Sequence, residues 1–166
     1  MPGSQQQEDA RRLSSIIQNF GAEELIIAGD LFHSRHNQEV ADFKHWRDAH
    51  DSLHIHFVMG NHDILPATFY DDLGFQVYPE GMLNGPFYVT HDAIPDASAF
   101  VIHGHLHPGV HVSGAGMRSR AFPCFCIASD HMILPAFGSF TGCKRVSPEH
   151  FKHLYLVGEQ QVLQLK

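Results

Sequence analysis

Ile55-His56-Phe57-Val58-Met59-Gly60-Asn61-His62-Asp63 is the stretch on which the fold turns. A short, mostly apolar run stops at a glycine, and ligand-forming side chains follow at once. Upstream, Leu25-Ile26-Ile27-Ala28 has the same form and is stopped by Gly29-Asp30. Continuous apolar runs of this kind suit strands buried on both faces, as in a sheet covered by helices. Residues 38–50, between the two runs, read as a helix with Val40, Phe43 and Trp46 along one side. Residues 5–20 read as an amphipathic helix, with Leu13, Ile16, Ile17 and Phe20 on one buried face. Asn19 and Gly21 are compatible with its end. The first third is therefore helix, strand, helix, strand, with a polar cluster after each strand. In open α/β sheets, ligands bind outside the carboxyl ends of the strands.

Beyond about residue 75 the pattern changes to short strands, expected at 76–78, 87–90, 99–102, 109–112, 122–128, 132–134, 153–157 and 161–165. Asn84-Gly85 and Ser113-Gly114 mark turns between them. A length of 166 residues fits one domain better than two. No repeat, low-complexity segment or linker interrupts it. The expectation is a single α/β domain over residues 1–166 with a strand-rich second half.

Composition removes several classes of function. With 43% hydrophobic and 17% charged residues, the chain has material for a core and is not disordered. No apolar run approaches the roughly 18 residues of a membrane span. The opening Met1–Arg12 segment is polar and lacks the apolar stretch of a signal peptide. A cytoplasmic protein with no membrane partner is expected. Cys124 and Cys126 alternate along an apolar run, and with only three cysteines in the chain they read as buried free thiols. There are 15 histidines, so their positions matter more than their number.

Four segments carry the chemistry: Gly29-Asp30-Leu31-Phe32-His33, Gly60-Asn61-His62-Asp63, Thr90-His91-Asp92 and Gly104-His105-Leu106-His107. Each follows an expected strand and offers oxygen or imidazole ligands. That donor set suits manganese, iron or zinc, and the lack of thiolate argues against a structural zinc site. If 105–107 is extended, His105 and His107 point to the same side. A lone histidine after a strand is ordinarily a loop residue, and Gly-Asp there is ordinary turn chemistry. The combination, always at strand ends, is what accident does not readily produce.

This arrangement resembles the calcineurin-like metallophosphoesterase superfamily, whose pattern runs Asp-x-His, Gly-Asp, Gly-Asn-His, His, Gly-His-x-His. The resemblance covers essentially the whole chain. The segment Ile133–Gly142 is similar to one subgroup, the bacterial phosphoesterases associated with DNA ligase operons. The resemblance implies an α-β-β-α sandwich, two mixed sheets flanked by helices, that hydrolyses phosphate esters with metal-activated water. It implies that Asp30 bridges two metals, that Asn61, His91 and His105 complete one site, and that His107 serves the other. His62 corresponds to the general acid. His33 corresponds to a residue that orients the substrate or the catalytic histidine in the superfamily's DNA-repair nucleases, which favours a phosphodiester, such as DNA ends or nucleotides. Manganese is the first expectation, with iron, zinc, nickel or magnesium as alternatives, at one or two ions per chain.

The Asp-x-His motif is missing. Asp48-Ala49-His50 has the spacing but lies in an expected helix, where residues two apart point in nearly opposite directions. The expectation is a truncated first strand, ahead of a single-metal protein or a degenerate fold acting as a binding module. A lost strand would leave a sheet edge, from which a homodimer is expected. Nucleic acid as a partner rests on the resemblance alone, because the formal charge is −7 and no basic run is present. Arg118, Arg120, Lys144 and Arg145 read as scattered solvated charges. His45, His50, His54 and His56 read as exposed residues without a role. His103 either shares a face with His105 or makes a contact to a neighbouring strand.

Overall fold

In the computed structural model, residues 3–32, 38–95, 97–112, 119–139, 141–159 and 161–166 are described. His33, Ser113-Gly114 and Arg118 lie outside these residues. The chain divides into two units, Met1–Met82 with Gly138–Phe140, and Leu83–Phe137 with Thr141–Lys166.

The first unit runs α1 (Gly3–Phe20), β1 (Glu24–Ala28), α2 (Gln38–Asp48), β2 (His54–Val58), α3 (Ala67–Asp72) and β3 (Phe75–Tyr78). Its strands form a parallel sheet in the order β1-β2-β3, because each pair is joined through a helix. Alternation sends Ile55, Phe57 and Phe75 to one face, where Phe32, Trp46, Leu65 and Tyr70 complete a buried core. Leu13, Ile17, Val40 and Phe43 pack on it from the helices. The Trp46 indole N–H donates to Ser14 Oγ at 2.8 Å and ties α2 to α1. The core-facing stripe of α1 differs from the expected one. Ala10, Leu13 and Ile17 face inward, whereas Ile16 is 40% and Phe20 82% exposed. Phe20 is the helix's last residue, just before the chain reverses at Gly21 with φ 58°.

The second sheet is built from β4 (Met82–Asn84), β5 (Phe87–Thr90), β6 (Phe100–His103), β7 (Pro108–Val112), β8 (Arg120–Ile127), β9 (His131–Ile133), β10 (Lys144–Arg145), β11 (His153–Val157) and β12 (Val162–Gln164). The order is β10-β7-β8-β9-β6-β5-β4, with β11 pairing both β8 and β12. It is mixed: β5, β6 and β9 are parallel, and β8 is antiparallel to β7, β9 and β11. The mixed pairing lies in this sheet, while the first is parallel throughout. Cys124 and Cys126 are buried and free, their sulfurs 3.6 Å apart, in a core with Val110, Ile133 and Leu154. A Cβ at Gly109 would come within 2.5 Å of Cys143 Cβ, so that strand position admits only glycine. No helix among the described residues is long and apolar enough to cross a membrane.

Candidate functional site

The two parallel pairings explain why the loop residues cluster. In the first unit Ala28 pairs with Val58, the last residues of β1 and β2. The Gly29-Asp30 and Gly60-Asn61-His62 loops therefore leave the sheet side by side. Gly29 (φ 83°) and Asp30 (φ 56°) are both left-handed, which turns the chain sharply off the strand. For a non-glycine residue this conformation costs roughly 1–2 kcal/mol, so something must hold Asp30 there.

Asp63 holds it. This buried carboxylate accepts the N–H groups of Asp30 at 2.8 Å, Leu31 at 2.9 Å, Phe32 at 3.4 Å and Gly60 at 2.7 Å. The Tyr70 hydroxyl donates to the same carboxylate at 3.4 Å. Burial, and then the Asp63 charge, raises the Tyr70 phenol well above its ordinary range. Asp30 in turn accepts the His62 backbone N–H on Oδ1 at 3.0 Å. Gly60 lies so close to Asp30 that a Cβ would sit 2.5 Å from the Asp30 nitrogen and against its carboxylate. Asn61 and His62 are exposed at the head of this loop.

In the second unit the same logic repeats on β5 and β6. Thr90 pairs with His103, and the Gly104 N–H donates to the His91 carbonyl at 3.0 Å, which sets the two following loops together. His91 Nε2 lies 3.1 Å from His105 Nδ1, with the rings at 74°. The 105–107 segment is not extended. His105 (φ 55°) and His107 (φ 49°) are both left-handed, and the Leu106 N–H donates back to the Gly104 carbonyl at 2.6 Å. The turn, not strand alternation, aims His105 at His91. His107 is half-buried just before β7, and its carbonyl accepts the Lys144 N–H at 2.9 Å.

Two imidazole nitrogens converging to 3.1 Å fit adjacent ligands of one divalent ion, since nitrogen ligands each stand about 2.0–2.1 Å from zinc. Asp30, Asn61 and the histidines are donors suited to such ions. His103 is buried, and its ring lies 5.6 Å from that of His131 on β9. Burial, and then His131, lowers its pKa. Its neighbour is thus an adjacent-strand residue. Asp48-Ala49-His50 is structural: His50 Nδ1 hydrogen-bonds the Trp46 carbonyl at 2.8 Å and its ring stacks on Trp46. Arg120 pairs with Glu159 at 3.3 Å on the surface. Asp63 and Tyr70 had no sequence-based role. The only signal for Asp63 was its place directly after Gly-Asn-His.

The family model for calcineurin-like phosphoesterases matches residues 3–145. The crystal structure of nuclease MPE from Pseudomonas putida matches with a TM-score of 0.79 and 32% sequence identity, covering 94% of this chain and 78% of that one. No curated protein matches.

Proposed function

Because this chain belongs to the calcineurin-like phosphoesterase family, whose fold and metal-dependent phosphoesterase class it shares, we propose that it hydrolyses phosphodiesters, with nucleic-acid ends or nucleotides as the substrate class. The observation that carries the reading is the paired His91 and His105 imidazoles at the family's motif positions. The similarity to a nuclease supports a diester over a monoester. The family match spans residues of both units, which supports reading residues 1–166 as one catalytic domain.

Asp30, Asn61, His91 and His105 would hold one divalent ion, manganese first. Asp30 and His107 would contribute to a second. When bound, such ions activate water and neutralise charge on the phosphoryl oxygens. The chain's own residues do the rest. Asp63 fixes the Asp30 loop before substrate arrives, so no reorganisation is needed at the moment of reaction. His62, anchored through its backbone to Asp30, would donate a proton to the leaving alkoxide as the P–O bond breaks, while the attacking water bonds to phosphorus and releases one of its protons to solvent. Positioned proton donation of this kind contributes about 10²–10⁴-fold. His33 is assigned to orient the substrate or His62.

A second reading is a single-ion module with little activity, because the residues named here offer four donors to one ion and only Asp30 and His107 to another. Metal content after manganese saturation, together with hydrolysis of bis(p-nitrophenyl) phosphate, separates the two. Two ions and diesterase activity, both reduced in Asn61→Ala, are expected for the enzyme. One ion without activity would favour the module. No bound ion would defeat both.

A further inference from the structure

The first sheet carries a second constellation at its opposite end, away from the Asp30 and Asn61 loops. His54 and His56 are two apart on β2, so both leave the same face. Ile55 and Phe57, between and beyond them, point to the core. Glu24 on β1 is the direct register partner of His54, which places its side chain on that face too. His56 was expected to be exposed but is recessed, its side chain only 17% accessible. The Tyr78 hydroxyl on β3 meets His56 Nδ1 at 3.2 Å and fixes the ring. That leaves Nε2 facing Glu24 Oε2 across 3.9 Å.

We propose that His54, His56 and Glu24 form a binding site for a borderline divalent cation such as zinc, separate from the catalytic residues. The 3.9 Å gap is too long for a hydrogen bond. Two ligand atoms at roughly 2.0–2.2 Å from a tetrahedral zinc stand about 3.3–3.6 Å apart, so Glu24 need move in by only a few tenths of an ångström. Tyr78 is an outer partner of the kind that orients a ligating imidazole. His54 is exposed and Glu24 projects into solvent, so both can swing to complete the set. All three line a cavity of about 280 Å³, large enough for an ion with water in its remaining positions.

Charge on the cavity wall selects a cation over an anion. Arg47 is the wall's cation, and its guanidinium is committed to the carbonyls of Leu73, His50 and Asp51. Glu24 and Asp51 both line the same cavity. Two imidazoles with one carboxylate, and no thiolate, suit zinc, nickel, copper or cobalt better than magnesium or calcium.

Zinc alone, titrated into the whole chain by calorimetry with elemental analysis of the saturated protein, tests this. The wild type is expected to hold one zinc equivalent more than His54→Gln. His54 is an exposed position, so circular dichroism of the variant should match the wild type. Tyr78→Phe should keep the stoichiometry and weaken that equivalent about 10-fold. Diester hydrolysis in His54→Gln should equal the wild type. Equal zinc content and affinity in the wild type and His54→Gln would overturn the site. So would an extra equivalent that vanishes in Asn61→Ala but survives in His54→Gln.

Discussion

At the scale of single residues, the proposed chemistry rests on one group outside the proposed ligand set. Asp63 draws four backbone N–H groups onto one carboxylate, and hydrogen bonds to a charged group are each worth about 1.5–3 kcal/mol. Asp63→Asn replaces one acceptor oxygen by a donor facing donors. About 3 kcal/mol of stability should be lost in urea unfolding, and manganese affinity should fall with it because Asp30 is released. An unchanged midpoint would refute the carboxylate's role. Tyr70 gives a test by pH. Its phenol is raised by burial and by Asp63, so its stabilising contribution is complete below the unfolded value near 10 and declines only as pH rises through the higher folded value. The phenolate absorbance of the folded chain up to about pH 11 should therefore be the same in Tyr70→Phe as in the wild type. A smaller rise in the variant would show that Tyr70 titrates normally. None of this was legible in the sequence, which displays a carboxylate after Gly-Asn-His but not the amides around it.

At the scale of elements, legibility follows the length of the hydrophobic signal. The runs at Leu25–Ala28 and Ile55–Met59 identify β1 and β2 because a short, mostly apolar stretch stopped by glycine suits a strand in a sheet covered by helices. The six-residue α3 spans under two turns and is too short for a periodicity, and the two-residue β10 shows no pattern at all. Left-handed φ at His105 and His107 escaped notice for a different reason: nothing in the residue type histidine announces it. The loops nevertheless sit where strand ends predicted, since parallel register carries them there. Phe57 tests that dependence. It is fully buried on the central strand β2, its ring centroid 4.4 Å from that of Tyr70. Phe57→Ala should cost about 3–5 kcal/mol in urea unfolding, because the cavity closes only partly. Metal binding should weaken too, since Asn61 and Asp63 hang from the end of β2. A stability loss with undiminished manganese affinity would mean the loop holds its geometry without its strand.

At the scale of the whole molecule, the charge balance restricts how a nucleic acid could be held. The formal charge is −7, and Arg120 is already engaged with Glu159. Affinity gained by neutralising Z phosphates falls with salt at a slope of about −0.9Z on duplex DNA, so a binder with a basic groove shows a steep decline. If the substrate is a nucleic acid, as proposed, and no basic groove holds it, the attraction would come from divalent ions, whose charge reverses the local field. The logarithm of kcat/KM for a short duplex substrate should then fall with the logarithm of salt at a slope shallower than about −2. Chelation should remove DNA binding together with activity, rather than leave a tight inactive complex. A small diester without a nucleic-acid backbone should show the same salt response, because both would use the same two contacts to metal. A slope near −6 for the duplex beside a flat response for the small diester would instead reveal a basic surface tracking the backbone.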